Sequence, residues 1–257
     1  MTALRIPDLD GKVFLVTGGS GGIGAAVARG LAAQGALVAV HCHLGEDSAH
    51  HVAEAIRDCG GKAFVVRGDL SGPEEASAVV ERTARHYGRL EGLINNAGNL
   101  IERRAISDSD LAHDRAILEV NALSVVWTTR AALPWLSRTG GVVINTTSVV
   151  ARNGGAEGAI LYAAAKGFVS TFTRGFAKEV IKHGIRVNAV APGVILTPWH
   201  ERFSTEEQIK TMIAAIPMGR AGTPDDCVGA YLFLASDLLS GYITGQILEV
   251  NGGQLMP

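Results

Sequence analysis

The chain has 257 residues, with 23 Lys+Arg against 25 Asp+Glu and a formal net charge of -2 at pH 7. This near-neutral balance argues against a nucleic-acid partner or an anionic membrane surface. Hydrophobic residues make up 47% and charged residues 19% of the chain, which excludes a disordered composition. The sequence contains neither a run near the ~18 apolar residues of a membrane span nor a signal-peptide pattern at its start, so it predicts a soluble, cytoplasmic protein.

The cysteines and histidines do not indicate a disulfide framework or a metal site. Cys42, Cys59 and Cys227 are three in number and lack CxxC spacing, which is typical of free thiols in a reducing compartment. The sequence HCH begins at His41, and on a strand His41 and His43 would share a face while Cys42 points away. Because no carboxylate pattern completes this set, we predict no metal.

Seven short runs rich in Val, Ile and Leu recur along the chain, separated by segments long enough for crossover helices. The runs are continuously apolar rather than alternating, as expected for strands covered on both faces. They begin at Lys12, Ala36, Lys62, Gly92, Gly141, Ile185 and Ile247. This alternation predicts an α/β fold, a doubly wound sheet of about seven parallel strands with helices on both faces.

The segments between these runs contain signals for helix ends and for an insertion. The first helical segment stops at Gly35, which we expect to cap it. The longest helical region before Gly140 covers residues 108–137, and we expect Pro134 to kink or end it. No linker or repeat divides the chain, so we predict one domain, residues 1–257. Residues 194–223 form an insertion expected at the carboxyl edge of the sheet, where ligands bind.

A glycine-rich turn, TGGSGGIG at residues 17–24, follows the first strand and opens the first helix. Gly18 can make the tight turn, Gly22 lets the backbone approach a phosphate, and Gly24 lets the helix pack closely on the strand. Free backbone N–H groups at the positive end of a helix suit a pyrophosphate. The turn alone could be only a turn, but its position between a strand and a helix favours dinucleotide binding.

Two other nucleotide-binding classes fit the chain less well. A P-loop needs GK followed by Ser or Thr, whereas Lys12 is followed by Val13 and Lys62 by Ala63. A methyltransferase would usually carry an acidic residue at the end of the second strand, where this chain has the HCH sequence at residues 41–43. The sequence therefore favours a dinucleotide-binding protein over a P-loop protein and over a methyltransferase.

The GxxxGxG spacing of the turn departs from the ordinary dinucleotide fingerprint and resembles that of the short-chain dehydrogenase/reductase family. Further motifs of that family follow in the correct order. They are NNAG at residues 95–98, Asn121, Ser148 at the end of the fifth strand, Tyr162 and Lys166 in YxxxK, and Pro192-Gly193 with Thr197 beyond. The resemblance covers residues 12–253, essentially the whole chain.

The resemblance implies a single Rossmann-type domain and an NAD(P)-dependent oxidoreductase that acts on a ketone or a secondary alcohol. Asp69-Leu70 resembles the adenine contact of the family, although Asp69 could also cap a helix. The cofactor-binding residues implied are Gly18, Ser20, Gly21, Gly22, Ile23, Gly24, His43, Asp69, Leu70, Asn95, Ala97, Gly98, Tyr162, Lys166, Pro192, Gly193, Ile195 and Thr197.

The resemblance also implies a catalytic set of Asn121, Ser148, Tyr162 and Lys166. Hydride transfer to a carbonyl builds negative charge on oxygen, which requires a proton donor and a second hydrogen-bond donor. Tyr162 would be the acid in reduction and the base in oxidation, and Ser148 would hold the substrate oxygen. The Lys166 ammonium, one helical turn on, is expected to favour the tyrosinate. Asn121 would position a water that connects Lys166 to solvent.

The loop between Ser148 and Tyr162 is one residue longer than in many family members, and its two adjacent glycines can absorb the difference. The wall of the substrate pocket would change with it. Glu157 lies in this loop, either as a solvated carboxylate or as a contact for a polyol or cationic substrate.

The substrate class stays open between a 3-oxoacyl thioester and a sugar or polyol. A carrier-protein reductase would benefit from a basic patch, but the insertion balances basic Arg202, Lys210 and Arg220 against acidic Glu201, Glu206 and Glu207. A non-catalytic dinucleotide sensor is a further alternative. Such a sensor would need no proton relay, so the presence of the complete set Asn121, Ser148, Tyr162 and Lys166 argues against it.

The end of the second strand favours NADP(H) over NAD(H). An NAD enzyme usually places Asp or Glu there, and a carboxylate repels a 2'-phosphate. Here the first acid comes only at Glu46, and His43 could donate a hydrogen bond to phosphate. Against this, Gly21 stands where many NADP-dependent relatives carry a basic residue.

Family resemblance also implies a homotetramer. Its interface is expected to include the C-terminal segment QILEVNGGQLMP, because Leu255, Met256 and Pro257 would be unusual as a free apolar tail.

Overall fold

Seven parallel strands form one sheet in the order β3-β2-β1-β4-β5-β6-β7. The structure is a computed structural model that describes residues 5–197, 203 and 205–256. The strands are β1 (Val13–Val16), β2 (Leu37–Cys42), β3 (Lys62–Arg67), β4 (Gly92–Asn95), β5 (Gly141–Thr146), β6 (Ile185–Pro192) and β7 (Ile247–Val250). The predicted α/β fold with seven parallel strands is therefore confirmed.

Helices cover both faces of this sheet. They are α1 (Gly22–Ala33), α2 (Glu46–Asp58), α3 (Pro73–Tyr87), α4 (Leu111–Leu118), α5 (Ser124–Leu136), α6 (Val150–Asn153), α7 (Ile160–Val180), α8 (Glu206–Ala214), α9 (Pro224–Ala235) and α10 (Asp237–Ser240). Single turns of 3-10 helix occur at Pro7–Leu9 and Ile181–His183, and a π-helical turn, Glu119–Leu123, joins α4 to α5. No helix among the described residues is both long and apolar enough to span a bilayer.

Two hydrophobic cores lie on opposite faces of the sheet. One packs α1, α2 and α9 against the strands, with Leu31, Ile56 and Tyr231 among its buried side chains. The other packs α3, α5 and α7, with Val80 and Leu136 in its interior. Every residue of β1, β4 and β6 is buried. This explains why these strands are mostly apolar and do not alternate, although β4 ends in Asn95 and β6 contains Arg186 and Asn188.

The helix ends largely match the expectations. α1 ends at Ala33, and Gly35 follows with a positive φ of 88° while its N–H donates to the Ala32 carbonyl. α5 continues past Pro134 and ends at Leu136. This end lies two residues beyond Pro134, so the proline neither stops the helix at its own position nor separates it into two elements.

The sheet order reverses between β1 and β4, because β2 and β3 lie on one side of β1 while β4 to β7 lie on the other. Such a reversal opens a crevice at the carboxyl ends of the strands, where ligands bind in open α/β sheets. The predicted insertion, residues 194–223, begins just after β6 at this edge, and a short parallel bridge between Ile195 and Gly222 joins its two ends. Residues 198–202 and 204 of this segment lie outside the described residues.

Candidate active site

The glycine turn between β1 and α1 is held from below by Thr17. Its hydroxyl donates to the Ile94 carbonyl and accepts the backbone N–H groups of Asn96 and Ala97 at 2.9 and 3.0 Å. Gly18 and Gly22 have positive φ angles of 63° and 52°, a conformation that glycine adopts at low cost. The turn is thereby fixed against the end of β4.

Gly24 allows the helix to approach the turn. A Cβ atom at this position would collide with the Gly18 carbonyl oxygen and with the Asn96 amide. The position therefore excludes any side chain larger than hydrogen, and the N-terminal turn of α1 lies directly against the strand.

His41 anchors the same turn from the side, a role that the sequence did not reveal. Its Nδ1 accepts the Gly18 N–H at 3.1 Å, so the proton is on Nε2, which donates to the Gly68 carbonyl at 3.0 Å. The side chain is 2% exposed, and burial lowers the pKa of His41 to about 4. The imidazole is therefore neutral at pH 7 and joins the glycine turn to the end of β3.

Lys166 and Tyr162 lie one helical turn apart on α7. Lys166 is 3% exposed, its Nζ donates to the Thr146 carbonyl at 2.9 Å, and the same atom lies 5.7 Å from the centroid of the Tyr162 ring. Burial lowers the pKa of Lys166 to about 8 and raises the pKa of Tyr162 to about 12. In the protein alone, burial thus raises the pKa of Tyr162 by more than the Lys166 ammonium is expected to lower it. Tyr162 is therefore protonated at neutral pH.

Asn121 lies in the π-helical turn between α4 and α5 and is fully buried. Its Oδ1 accepts the Asn99 N–H at 3.0 Å, and its Nδ2 donates to the Asn99 carbonyl at 2.7 Å. A Cβ on Gly98 would lie 2.8 Å from the Asn121 Oδ1 and 3.2 Å from the Lys166 Nζ. Asn121 and Lys166 therefore approach the same glycine, and π-helical turns of this kind are frequent at functional sites.

A cavity of about 620 Å³ at the carboxyl edge of the sheet brings together most of the residues predicted for the site. The predicted residues that line it are Gly18, Ser20, Gly21, Gly22, Ile23, Ala97, Gly98, Ser148, Tyr162, Lys166, Pro192, Gly193, Ile195 and Thr197. The glycine turn forms one end of this cavity, and Ser148, Tyr162 and Lys166 lie together in its wall.

Six predicted residues do not line the cavity: Gly24, His43, Asp69, Leu70, Asn95 and Asn121. The Asn95 side chain is buried and bonds Thr128, Thr129 and Asn145, so it links β4 to β5 and α5 rather than facing a ligand. The Leu70 side chain is part of the hydrophobic core. His43 and Asp69 lie beyond the cavity and beside each other, with Nε2 and Oδ2 3.8 Å apart.

Several cavity residues were not predicted from the sequence. Arg103 comes from the loop after β4, Asn153 from α6, and Met212 from α8. Gln254, near the C-terminus, also lines the cavity, and its Oε1 is buried without a hydrogen-bond partner among the described residues. No family motif marks these positions. Glu157 does not line the cavity, and its backbone carbonyl accepts a hydrogen bond from Arg103.

The residues present fit a dinucleotide. A Cβ on Gly18 would lie 3.1 Å from the Ala97 Cα, and one on Gly22 would lie 3.2 Å from the Thr197 side chain, so both positions favour glycine. Both glycines line the cavity at the start of α1, where backbone N–H groups would bind a phosphate. The unpartnered Gln254 Oε1 lies 3.1 Å from a Cβ placed on Gly193 and offers an acceptor to a ligand amide. No cluster of three or more metal-ligating side chains occurs among the described residues.

The buried Lys166 ammonium costs stability, and replacing it is expected to change the pH dependence of folding. Burial lowers its pKa from 10.5 to about 8, so the unfolded chain binds more protons between these values and the free energy of unfolding rises with pH there. The difference corresponds to about 3 kcal/mol.

We therefore expect Lys166→Met to be more stable than wild type near pH 7 and to lose that advantage as the pH approaches 10.5. The measurement is urea unfolding of both proteins at several pH values, with Lys182→Met as the control, since Lys182 is exposed. A stability difference between Lys166→Met and wild type that does not change with pH would contradict the assignment.

The chain is similar to known proteins over nearly its full length. The family model described as Enoyl-(Acyl carrier protein) reductase matches residues 18–254. The NADPH-dependent aldehyde reductase 1, chloroplastic, of Arabidopsis thaliana is 37% identical over 254 residues, covering 96% of this chain and 88% of that protein. The 3-oxoacyl-(acyl-carrier-protein) reductase of Synechocystis sp. is 36% identical over 253 residues, covering 96% of this chain and 98% of that protein.

A solved structure agrees with these relatives. The NADH-dependent reductase A1-R', described as responsible for alginate metabolism, superposes with a TM-score of 0.89 at 37% identity, covering 98% of this chain and 100% of that one. Sequence motifs, sheet order and relatives agree over nearly the full length. The chain belongs to the short-chain dehydrogenase/reductase family and is an NAD(P)-dependent oxidoreductase.

Proposed function

We propose that Ser148, Tyr162 and Lys166 carry out proton transfer in the interconversion of a small ketone or aldehyde and its alcohol. The observation that supports this most is the shared cavity, which brings these three side chains to the same crevice as the glycine turn. A bound nicotinamide supplies or accepts the hydride. The side chains must then supply or remove the proton and stabilise charge on the substrate oxygen.

Tyr162 is the proton donor in reduction. Because burial raises its pKa to about 12, the phenol is protonated at neutral pH and is ready to donate. Ser148 offers a second hydrogen bond to the same substrate oxygen. Lys166, whose Nζ is held by the Thr146 carbonyl, places a positive charge below the Tyr162 ring and stabilises the phenolate left after donation.

Asn121 acts on this set through its neighbours. Its side-chain amide fixes both backbone groups of Asn99, which follows the NNAG motif, and its Oδ1 lies beside Gly98 close to Lys166. We assign Asn121 to holding this loop and to positioning a water that returns a proton to Lys166. A non-catalytic sensor on the same fold would need no such arrangement.

The substrate is best sought among thioesters, sugars and polyols. One relative is named as an aldehyde reductase and another as a 3-oxoacyl-(acyl-carrier-protein) reductase, so the family membership alone does not choose between these classes. The test is a screen of the purified protein against ketones, aldehydes, acyl thioesters, sugars and polyols with all four nicotinamide forms, followed by absorbance. Absence of turnover with every compound would favour the sensor.

The cofactor is NADP(H) in preference to NAD(H). No carboxylate belongs to β2 or to the two residues after it, and His43 is exposed at this point. The nearest acid along the chain, Glu46, is paired with Arg67 at 3.0 Å, which reduces its repulsion of a phosphate. One relative is named as NADPH-dependent and the solved neighbour as NADH-dependent, so the choice depends on these residues.

The protein is a cytoplasmic homotetramer in this proposal. Apolar side chains exposed near the C-terminus support an interface there: Tyr242, Leu238 and Leu239 are exposed, and Met256 is 80% exposed. Pro257 lies outside the described residues. A second apolar surface is a row of stacked rings on α7, in which Phe168 and Phe172 lie 6.2 Å apart.

Deleting residues 255–257 is expected to weaken subunit association, because it removes apolar surface that an interface would bury. Light scattering at micromolar concentration measures the mass of both forms. The matched control is Leu44→Ser, which removes an apolar side chain that is equally exposed but lies at the cofactor edge. A monomeric wild-type protein would contradict the tetramer.

A further inference from the structure

The cavity contains a cation that the proposed proton transfer does not use. Arg103, in the loop after β4, is half-buried and lines the cavity together with Met212 and Ala156. The loop is held in place, because the Arg104 N–H donates to the Gly158 carbonyl at 3.2 Å. Arg103 therefore lies on a fixed loop at the wall of the cavity.

The Arg103 guanidinium is satisfied only in part. Its Nε donates to the Phe203 carbonyl at 2.8 Å and its Nη1 to the Glu157 carbonyl at 3.2 Å. Its Nη2 makes no hydrogen bond with any residue that the structure describes. The guanidinium also forms no ion pair with any of these residues. The next residue provides a contrast, because Arg104 pairs with Glu102 at 2.8 Å and with Asp110 at 3.1 Å.

The described lining of the cavity has a positive net charge. Among its described lining residues there is no Asp or Glu, and the cationic side chains are Arg103 and Lys166. Lys166 is committed to Thr146 and Tyr162 at the reaction centre. A half-buried guanidinium with neutral carbonyls as its partners is a strong site for an anion, and its planar donors match a carboxylate.

We propose that the substrate is a carbonyl compound that carries a carboxylate group, and that Arg103 binds this carboxylate. The inference rests on the proposed function, because it places the reacting carbonyl at Tyr162 and Ser148. Arg103 alone balances the single charge of a carboxylate, whereas the second charge of a phosphate dianion would meet no further cation among the described lining residues outside the reaction centre. The apolar side chains of Val150, Ala159 and Val194 would contact the carbon chain between the two groups.

The test compares anionic and neutral ligands that are otherwise matched and cannot turn over. D-Gluconate and D-sorbitol form one pair, and butanoate and butan-1-ol form the other. Each is titrated by calorimetry into the full-length protein saturated with the reduced nicotinamide cofactor, which cannot accept a hydride, so none of the four ligands is oxidised. We expect at least one anion to bind about tenfold or more tightly than its neutral partner, as for a charge-assisted hydrogen bond.

The variants decide whether Arg103 is responsible. Arg103→Gln should abolish the preference for the anion, Arg103→Lys should retain part of it, and the control Arg104→Gln should leave it unchanged. Circular dichroism melting checks that each variant is folded. The proposal is overturned by equal binding of anion and neutral partner to wild type, or by an anion preference that survives in Arg103→Gln.

A third result would also overturn the proposal. If Arg103→Gln weakens anion and neutral partner equally, Arg103 only holds the residues around Phe203 and Glu157 in place. Failure of the proposed function is a separate result, since it would show as the absence of Tyr162-dependent turnover in the substrate screen. Ligand binding does not depend on that turnover.

Discussion

Tyr162→Phe is expected to abolish turnover while leaving cofactor affinity nearly unchanged. The substitution removes the phenolic oxygen and keeps the ring, so proton transfer is lost and the packing of α7 is retained. Positioned acid–base groups typically contribute about 10²- to 10⁴-fold to the rate. The measurements are kcat/KM with any substrate found in the screen and cofactor binding by nicotinamide fluorescence. A variant with more than about one tenth of wild-type activity would contradict the assignment of Tyr162 as the proton donor.

Two further variants separate the roles around Tyr162. Lys166→Ala should reduce both cofactor binding and rate, because the ammonium lies in the cavity and beside the tyrosine ring. Tyr231→Phe is the matched control for loss of a buried tyrosine hydroxyl, since Tyr231 bonds Thr146 at 2.7 Å in the core below the cavity. It should retain turnover. Equal losses of activity in the two tyrosine variants would indicate damage to packing rather than loss of an acid.

The pH profile offers a second readout of the same assignment. Because burial raises the pKa of Tyr162 to about 12 in the protein alone, the phenol is the acid form across the neutral range, and reduction needs no prior protonation. Alcohol oxidation needs the phenolate, so its rate should rise with pH. If the pKa of Tyr162 in the cofactor-bound protein is below about 12, the difference measures how far the bound nicotinamide and Lys166 stabilise the phenolate.

The fold was predictable from the sequence because its central strands are buried on both faces. Most positions in such strands are apolar, and the seven runs could be located without knowledge of their neighbours. The glycine turn was also predictable, since Gly24 tolerates no side chain against the Gly18 carbonyl. These features depend on local constraints that the sequence records directly.

The site was less predictable where contacts join distant segments. Asn95 belongs to a motif of the cofactor region, yet its amide is used to link strands and a helix. Arg103 and Gln254 belong to no motif, and only the folded chain brings them to the cavity. His41 did carry a signal, because a histidine inside the apolar run of β2 must satisfy its ring nitrogens by hydrogen bonds when it is buried.

His43→Asp is expected to reverse the cofactor preference from NADP(H) to NAD(H). His43 is exposed immediately after β2, where dinucleotide enzymes that use NAD usually place an acid for the ribose hydroxyls. A carboxylate at this position accepts hydrogen bonds from both hydroxyls and repels a 2'-phosphate, whereas the imidazole can donate to the phosphate. We expect the ratio of kcat/KM for NADP(H) over NAD(H) to fall by about tenfold or more.

The test measures this ratio in wild type, His43→Asp and His183→Asp. His183 is exposed in the turn that precedes β6, at the amino end of the strand, so its substitution makes the same change of charge away from the cavity and should leave the ratio unchanged. Asp69 is already 3.8 Å from His43, and an added carboxylate there increases the negative charge that a 2'-phosphate would meet. If kcat/KM in wild type is equal for the two cofactors or higher with NAD(H), the NADP(H) proposal is wrong. If the ratio is unchanged in His43→Asp, a residue other than His43 recognises the 2'-phosphate.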